Sequence, residues 1–444
     1  MRFRSIVLAM VPAIVPAILL AAALAVPGAA RADVGVARLA PHEGKTVSRI
    51  VISGNAVTRR YVIAREIETA VGDSLRVATV EADHVRLENL GIFASIDIVL
   101  TDLGNAVALE YRVREMPWII PYIKFRYTEQ DGWSLGPAVS SINLFGLGIR
   151  VSGNYLAGAN SQFTLGLTWP WITGDHVSAE FHAARLFRKD SLNEFDETSD
   201  ETTAWMGRYL GRNGRLRGGL SYFRMQADRD GVTLTSNNDD RFFRAALSLG
   251  IDTRDSWRNP RSGWWSEALA VRTWGDGNWW LGELDIRRYQ PTWPSQGLVL
   301  GILASLNSGQ VGVDFPGYLQ YRLGGANSVR GYDIEKLGKE LFGQNQFLTT
   351  AEYRVVAIDL QSFPVLKWAV SAGLSLAVFA DYGHAWNGSD LPDGGGKWGY
   401  GTGLRFLVPG VDMIRTDVAV GDDGVVYFHL GVWDKLAAQR ERLR

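Results

Sequence analysis

The residues with the clearest capacity for chemistry form a short motif, Ser-Val-Arg-Gly-Tyr-Asp, at residues 328–333. Arg330 carries a planar guanidinium that donates charge-assisted, two-pronged hydrogen bonds to carboxylates. Gly331 permits backbone turns that are closed to other residues, and Tyr332 combines an apolar ring with a polar hydroxyl. The motif lies within a polar stretch from about residue 310 to residue 345. We therefore predict a long loop with a fixed tip that needs a docking partner.

Two carboxylates further along the chain are candidate partners for the loop tip, Val329 to Tyr332. Glu352 and Asp381 are each flanked by apolar residues that alternate with polar ones, and successive side chains of a strand point to opposite faces. Asp381 also belongs to a strand motif with Phe379 and Gly383. If both segments are barrel strands, we expect their carboxylates to point into the lumen.

Other kinds of chemistry find little support in the sequence. The six histidines show no metal-binding spacing, and the absence of cysteine excludes disulfides, thiolate metal sites and cysteine nucleophiles. His384 with Ser371 or Ser375 is the pair nearest to that of a barrel lipase, but neither serine has the context of a nucleophile. We predict no enzymatic activity, no cofactor and no metal. The 46 basic and 47 acidic residues provide no field that would attract nucleic acid.

The N-terminal segment, residues 1–32, has the pattern of a signal peptide. Arg2 and Arg4 precede an apolar stretch, and Ala30 and Ala32 supply the small residues of a cleavage site. An uncleaved membrane anchor is the alternative, because the apolar run is nearly long enough to span a bilayer. Residues 33–45 are predicted to be a linker.

The next segment, residues 46–116, has the pattern of a small α+β domain in the order β-α-α-β-β. Alternating apolar residues predict a first strand, after which Thr58 is the expected N-cap of a helix that ends at Gly72. A second helix is predicted to end at Gly91. Two alternating strands complete the module.

The largest part of the chain, residues 117–434, is predicted to be a sixteen-stranded transmembrane antiparallel β-barrel, which makes the protein mainly β. Its length divides into sixteen segments of about twenty residues, each enough for one strand and its share of a loop. A mean hydropathy of −0.04 fits strands with one apolar and one polar face. Residues 435–444 form a charged C-terminal tail. Long loops are expected at residues 189–201, 227–240, 310–345 and 387–397.

These motifs resemble the BamA/TamA superfamily of outer-membrane assembly and translocation barrels. In that family, a Val-Arg-Gly-Phe/Tyr loop tip folds into the barrel onto an acidic residue of each of the next two strands. Residues 252–255 and 259–263 look like the family's turn between two mid-barrel strands, and residues 52–55 and 90–93 match the pattern of its POTRA module. The resemblance implies that Arg330 pairs with Asp381 and Glu352.

The resemblance also implies a function and a location. We expect a protein of the outer membrane of a Gram-negative bacterium that inserts proteins into this membrane or moves them across it, with its single POTRA module in the periplasm. The expected partners are unfolded outer-membrane or secreted protein clients, outer-membrane lipid and periplasmic accessory proteins bound through the module. The alternatives are a dedicated secretion pore for one partner, as in two-partner secretion, and a passive porin or structural barrel.

We expect the barrel to close by pairing of the first strand, around residues 118–128, with the last, around residues 425–433. This seam is expected to be the weakest pairing in the wall and the place where the barrel opens. Pro121 removes a hydrogen-bond donor from the first strand, and Gly431 adds backbone freedom to the last. Ile123 and Leu430 are expected to face each other near this seam. The resemblance assigns to the seam the role of a lateral gate, and the alternative is that Pro121 only marks the start of a strand in a seam that stays shut.

Overall fold

The computed structural model describes residues 39–128, 132–173, 177–190, 195–211, 213–255, 260–333, 341–365, 368–388, 395–408 and 412–432. The predicted signal peptide, the first part of the predicted linker and the charged tail lie outside these residues. The described chain forms an N-terminal α+β module followed by a large antiparallel sheet.

The N-terminal module has the predicted order β-α-α-β-β. Its elements are β1 (Thr46–Ser53), α1 (Arg60–Ala64), α2 (Val77–Asn89), β2 (Phe93–Asp102) and β3 (Ala106–Glu115). The central strand is β3, which pairs in parallel with β1 and antiparallel with β2. The two helices cover one face of this sheet, and apolar residues from helices and strands form the core between them.

Residues 39–45, which the sequence analysis assigned to a linker, pack on this module. Leu39 is 3% exposed and belongs to the apolar core. A carboxylate oxygen of Glu43 accepts a hydrogen bond of 2.8 Å from the backbone N–H of Val77, the first residue of α2. An acidic acceptor at this position satisfies a helix N–H that has no partner within the helix.

The second part of the chain is a sixteen-stranded antiparallel sheet, as predicted. Its first eight strands are β4 (Ile119–Thr128), β5 (Gly132–Leu144), β6 (Ile149–Gly158), β7 (Ser161–Thr173), β8 (Val177–Asp190), β9 (Phe195–Leu210), β10 (Gly214–Ala227) and β11 (Asp239–Asp252). The remaining eight are β12 (Gly263–Gly275), β13 (Trp279–Trp293), β14 (Gln296–Asn307), β17 (Asn345–Val365), β18 (Trp368–Trp386), β19 (Lys397–Val408), β20 (Asp412–Gly421) and β21 (Val426–Val432). The two-residue strands β15 (Tyr321–Arg322) and β16 (Phe342–Gly343) pair with each other inside the loop between β14 and β17.

The first and last strands, β4 and β21, are the two edges of this sheet. Their Cα atoms approach within 8 Å of each other, yet no strand pairing joins them over the described residues 119–128 and 426–432. The sequence analysis expected closure by pairing of these strands, and the structure corrects that expectation. Every other neighbouring pair of the sixteen strands is hydrogen-bonded.

The two faces of the large sheet differ as the alternation of residue types predicted. Large apolar side chains such as Leu220 and Leu247 are more than half exposed on one face. Buried polar and charged residues, including Ser248 and Glu267, lie on the other. A wall with an apolar outer face and a polar inner face suits a barrel surrounded by lipid. Among the described residues, no helix has the length and apolar character needed to cross a bilayer.

One of the four predicted long loops is largely strand. The polar residues 195–201 begin β9 and pair with β8, which ends at residue 190. Arg185 of β8 makes a two-pronged ion pair with Asp200 of β9, with N–O distances of 2.6 and 2.8 Å. Charged residues therefore extend this hairpin by cross-strand pairing, and polarity alone did not reveal the strand.

The module and the large sheet contact each other directly. The hydroxyl of Thr58 accepts a hydrogen bond of 2.8 Å from Asn143 of β5, so it does not cap the first helix, which begins at Arg60 after the N-cap Arg59. The backbone N–H of Arg59 donates to the carbonyl of Gly146 in the β5–β6 turn at 3.0 Å. Arg65 lies 4.2 Å above the ring of Trp171.

Candidate functional site: an arginine loop docked in the lumen

The site is built by the segment between β14 and β17, residues 308–344. Its described part contains a short 3-10 helix at Gly317–Leu319, the paired strands β15 and β16, and between these strands the motif at residues 328–333. Residues 334–340 lie outside the described chain. Apolar side chains anchor the loop on the inner face of the sheet: Leu303, Leu323, Val329, Tyr332, Leu341 and Leu348 are buried together.

The Arg330 side chain is fully buried and forms an ion pair with Asp381 of β18. Its Nε and Nη2 donate to the two carboxylate oxygens of Asp381 at 2.7 and 3.0 Å, and its own backbone N–H donates to the same carboxylate at 3.2 Å. The guanidinium carbon also lies 3.2 Å from the ring centre of Phe379. Both charge-assisted bonds and a cation–π contact therefore fix the orientation of this side chain.

The remaining guanidinium nitrogen of Arg330, Nη1, reaches two further carboxylates. It lies 3.0 Å from Glu352 of β17 and 3.3 Å from Asp417 of β20. The structure thus brings together Arg330, Asp381 and Glu352, the three charged residues of the predicted cluster. It also adds Asp417, for which the sequence analysis gave no role.

Two more buried arginines belong to the network, and the less buried Arg354 donates to Glu352 at 2.7 Å. Arg405 of β19 donates to both oxygens of Glu352 at 2.6 and 3.0 Å and to Asp417 at 2.5 Å. Arg415 of β20 lies 3.5 Å from Asp417. Arg330, Arg405 and Arg415 are each at most 1% exposed. Buried charges persist only when they are paired and hydrogen-bonded, and these three cations, with Arg354 beside them, are paired with the carboxylates of Glu352, Asp381 and Asp417.

The residues after Arg330 bind the wall through their backbone and through the tyrosine hydroxyl. Gly331 has a φ of +93°, and its N–H donates to Nε2 of His429 in β21 at 2.9 Å. The hydroxyl of Tyr332 donates to the backbone carbonyl of Trp398 at 2.7 Å and accepts from the backbone N–H of Asp422 at 2.8 Å. The tip therefore contacts strands on both sides of β20.

Glycines of the wall leave the space into which the tip fits. A Cβ added at Gly399 would overlap the backbone carbonyl oxygen of Arg330, and one at Gly383 would overlap the side chain of Val329. A Cβ at Gly421 would collide with the Tyr332 ring, and one at Gly431 would crowd the guanidinium of Arg415. We call Gly383, Gly399, Gly421 and Gly431 the glycine wall.

The glycine wall changes the interpretation of two features of the sequence. Gly431 was predicted to weaken the last strand, whereas its position opposite Arg415 in the β20–β21 ladder makes room for a buried guanidinium. The glycines that alternate with aromatic residues along β19 occupy the inner face, and Arg405 continues the same face. A Gly-x-Gly-x-Gly-x-Arg pattern in a strand was the available signal for this docking surface.

The predicted seam residues lie on the two edge strands. Pro121 is opposite Val139 of β5, and Ile123 is opposite Pro137. Both residues of β4 therefore belong to the ladder with β5. Ile123 is 74% exposed. Leu430 and Gly431 pair only with β20. The structure thus places Pro121, Ile123, Leu430 and Gly431 on the two edges but not in a shared ladder.

Comparison with known proteins agrees with this architecture. A model of the Omp85 superfamily domain matches residues 143–432, which is more than half of the chain. The chain belongs to the Omp85 superfamily. A second family model, the surface antigen variable number repeat or POTRA domain, matches residues 45–116, so the α+β module of this Omp85 protein is a POTRA domain.

The relatives of this Omp85 protein are distant in sequence. The outer membrane protein assembly factor BamA of Nitratidesulfovibrio vulgaris is 22% identical over 366 residues, which cover 76% of this chain and 43% of that protein. The chain therefore spans less than half the length of this curated relative. Solved structures share the fold, and two of them illustrate the likeness. BamA of Haemophilus ducreyi lacking POTRA domains 1–3 matches with a TM-score of 0.56 at 17% identity, covering 87% of this chain and 83% of that one. CdiB of Escherichia coli matches with a TM-score of 0.57 at 16% identity, covering 88% and 76%.

Proposed function

We propose that this Omp85 protein inserts unfolded protein clients into the outer membrane of a Gram-negative bacterium or moves them across it. The observation that carries the proposal is the seam, where β4 and β21 approach each other without a ladder. Each edge presents backbone N–H and C=O groups that can pair with another strand. A client strand that pairs with such an edge gains hydrogen bonds before it is released into lipid, where unpaired backbone groups are costly.

The docked loop supports passage at the seam over passage through an open pore. The loop fills the inner side of β17 to β21 with a buried ion network, so this part of the lumen is occupied. A passive porin has a water-filled lumen. We therefore expect low and irregular conductance, and the porin alternative predicts a steady open channel.

The POTRA module is proposed to receive clients in the periplasm. Its sheet order is β1-β3-β2, which leaves β2 with a strand partner on one side in the described chain. Segment 72–75 lies along the outer side of β1, with Val47 donating to the Asp73 carbonyl at 2.8 Å. The β2 edge is therefore the better site for adding an extended client segment, or a segment of a periplasmic accessory protein.

The test is to lock the seam in protein reconstituted into liposomes and to supply an unfolded barrel client. Because the chain has no cysteine, Ile123→Cys with Leu430→Cys, together with neighbouring registers, forms a disulfide without background. We expect oxidation to abolish client insertion and reduction to restore it. The matched control is Val418→Cys with Phe428→Cys, a pair already opposed in the β20–β21 ladder, whose oxidation should leave insertion unchanged.

The same experiment separates the proposed function from its alternatives. If a verified seam crosslink leaves insertion unchanged, the hypothesis that the seam is the gate is wrong. If a secreted client still reaches the liposome interior with the seam locked, a dedicated secretion pore through the lumen accounts for the result. If no client moves and the protein conducts as a steady channel, the porin alternative holds.

A further inference from the structure

The loop tip contacts the last strand of the barrel as well as the acidic residues predicted for it. Over the described residues, β21 spans seven residues, the fewest among the sixteen strands, and β20 is the one strand that pairs with it. A short edge strand with one ladder has few hydrogen bonds to hold it in place. Any further contact on its inner face therefore contributes a large share of its anchoring.

The most direct of these contacts is made by His429. This side chain is 1% exposed, and its Nε2 accepts the backbone N–H of Gly331 at 2.9 Å. An imidazole nitrogen that accepts a hydrogen bond carries no proton. The bond therefore satisfies a buried backbone N–H that would otherwise lose its partner at a cost of stability.

The neighbouring strand β20 binds the same loop just ahead of the motif. Arg415 donates to the carbonyl of Ala326 at 3.2 Å and to the side-chain oxygen of Asn327 at 2.9 Å. The Arg415 guanidinium lies over Gly431 of β21, where a larger residue would displace it. In the β20–β21 turn, a carboxylate oxygen of Asp422 lies 2.8 Å from the Tyr332 hydroxyl and is an alternative acceptor of its proton to the Trp398 carbonyl.

We propose that the docked loop tip is a tether for the gate strand β21, with His429 and Arg415 as the positioning residues of the tether. Release of the loop then removes the inner contacts of β21 and allows the seam to widen, and widening of the seam loosens the loop. This proposal rests on the proposed function, in which the seam is the gate, and it names the element that controls that gate.

The test measures the seam without any client. Spin labels at Ile123→Cys and Phe428→Cys, two outward-facing residues that are 74% and 68% exposed, report the distance between β4 and β21 in liposomes. We expect His429→Ala to increase the ratio of long to short label-to-label distances about tenfold, because the buried N–H of Gly331 loses its acceptor. His429→Gln keeps an acceptor oxygen and should stay closer to the unmodified protein. Asn327→Ala, a milder change on the loop, should cause a smaller increase.

Protease cleavage of the loop is measured in the same samples, which are first checked for refolding by their gel mobility. The tether requires that each variant that widens the seam also exposes the loop. His182→Ala on β8, remote from the loop in the sheet order, is the matched control and should change neither quantity.

Two results would overturn the tether. One is an unchanged distance distribution in refolded His429→Ala and Asn327→Ala, and the other is a widened seam with a loop that remains fully protected. Failure of the proposed function has a different signature. In that case the seam distance still depends on His429, but no client is inserted.

Discussion

The POTRA module and the lumen of the barrel are filled by different kinds of side chain. The module packs apolar side chains such as Leu87 and Leu109, which are fully buried. Its fully buried acid, Asp83, accepts hydrogen bonds from Thr69, Tyr111 and Arg86. Burial of the Tyr111 hydroxyl, together with the nearby Asp83 carboxylate, raises the pKa of Tyr111. The loop-docking site in the lumen instead buries Arg330, Arg405 and Arg415 among the carboxylates of Glu352, Asp381 and Asp417.

The difference teaches what each interior is suited to do. Apolar packing is non-directional and stabilises in proportion to the area removed from water, so the module can hold its shape without using the β2 edge, at which we propose client binding. A buried ion network is directional, and it is stable only when every charge is paired. We therefore expect the loop to be either docked or released, with few intermediate arrangements.

The largest effect should come from removing one charge of the network. Arg330→Ala leaves Asp381 and Glu352 buried with less compensation, and we expect it to lower the free energy of unfolding of the barrel by about 3–5 kcal/mol. Urea unfolding in liposomes measures this change, and limited proteolysis should show an exposed loop. Equal protease resistance of the variant and the unmodified protein would refute the docked arrangement.

The matched control for Arg330→Ala is Arg185→Ala. Arg185 also makes a two-pronged bond to an aspartate, but its side chain is 52% exposed. Exposed pairs contribute at most about 1 kcal/mol. A loss for Arg185→Ala as large as that for Arg330→Ala would mean that burial does not set the strength of the network.

A somewhat smaller effect, confined to the other interior, is expected from Leu87→Ala. Removal of this fully buried side chain from the POTRA core should cost about 2–5 kcal/mol and unfold the module while the barrel remains folded. Circular dichroism and the heat-dependent gel mobility of the barrel report the two parts separately. Val71→Ala, at a residue 61% exposed, should change little. Loss of barrel folding in Leu87→Ala would show that the two interiors are coupled.

The smallest of the three effects is expected at the glycine wall. In Gly399→Ala, the new methyl group would overlap the Arg330 carbonyl, and we expect overpacking to cost about 1–3 kcal/mol and to increase cleavage of the loop. Gly282→Ala on β13 has no atom within 4 Å of the new methyl group and serves as the control. Equal loop protection in both variants would contradict the role of the wall.

The sequence by itself determined which residues share a face of each strand, because side chains alternate along a strand. That periodicity predicted the strands and the β-α-α-β-β module, and the length of residues 117–434, divided into segments of about twenty, predicted sixteen strands; both predictions are confirmed. The motif at residues 328–333 also indicated its two nearest acidic partners, Glu352 and Asp381. These inferences depend on local pattern and on a short, recognisable motif.

Only the tertiary structure decided which of the inward-facing residues meet. The loop tip binds Asp417 and His429, 87 and 98 residues further along the chain, and periodicity gives the face of a residue but not its partner across a lumen. The space for these contacts comes from glycines, which carry no charge or side chain to reveal their role. Pro121 and Gly431 indicated from the sequence that the seam would be weak, but only the structure showed that β4 and β21 form no ladder over the described residues. Strand pairing at a seam depends on the curvature of all sixteen strands, which the two edge segments do not determine.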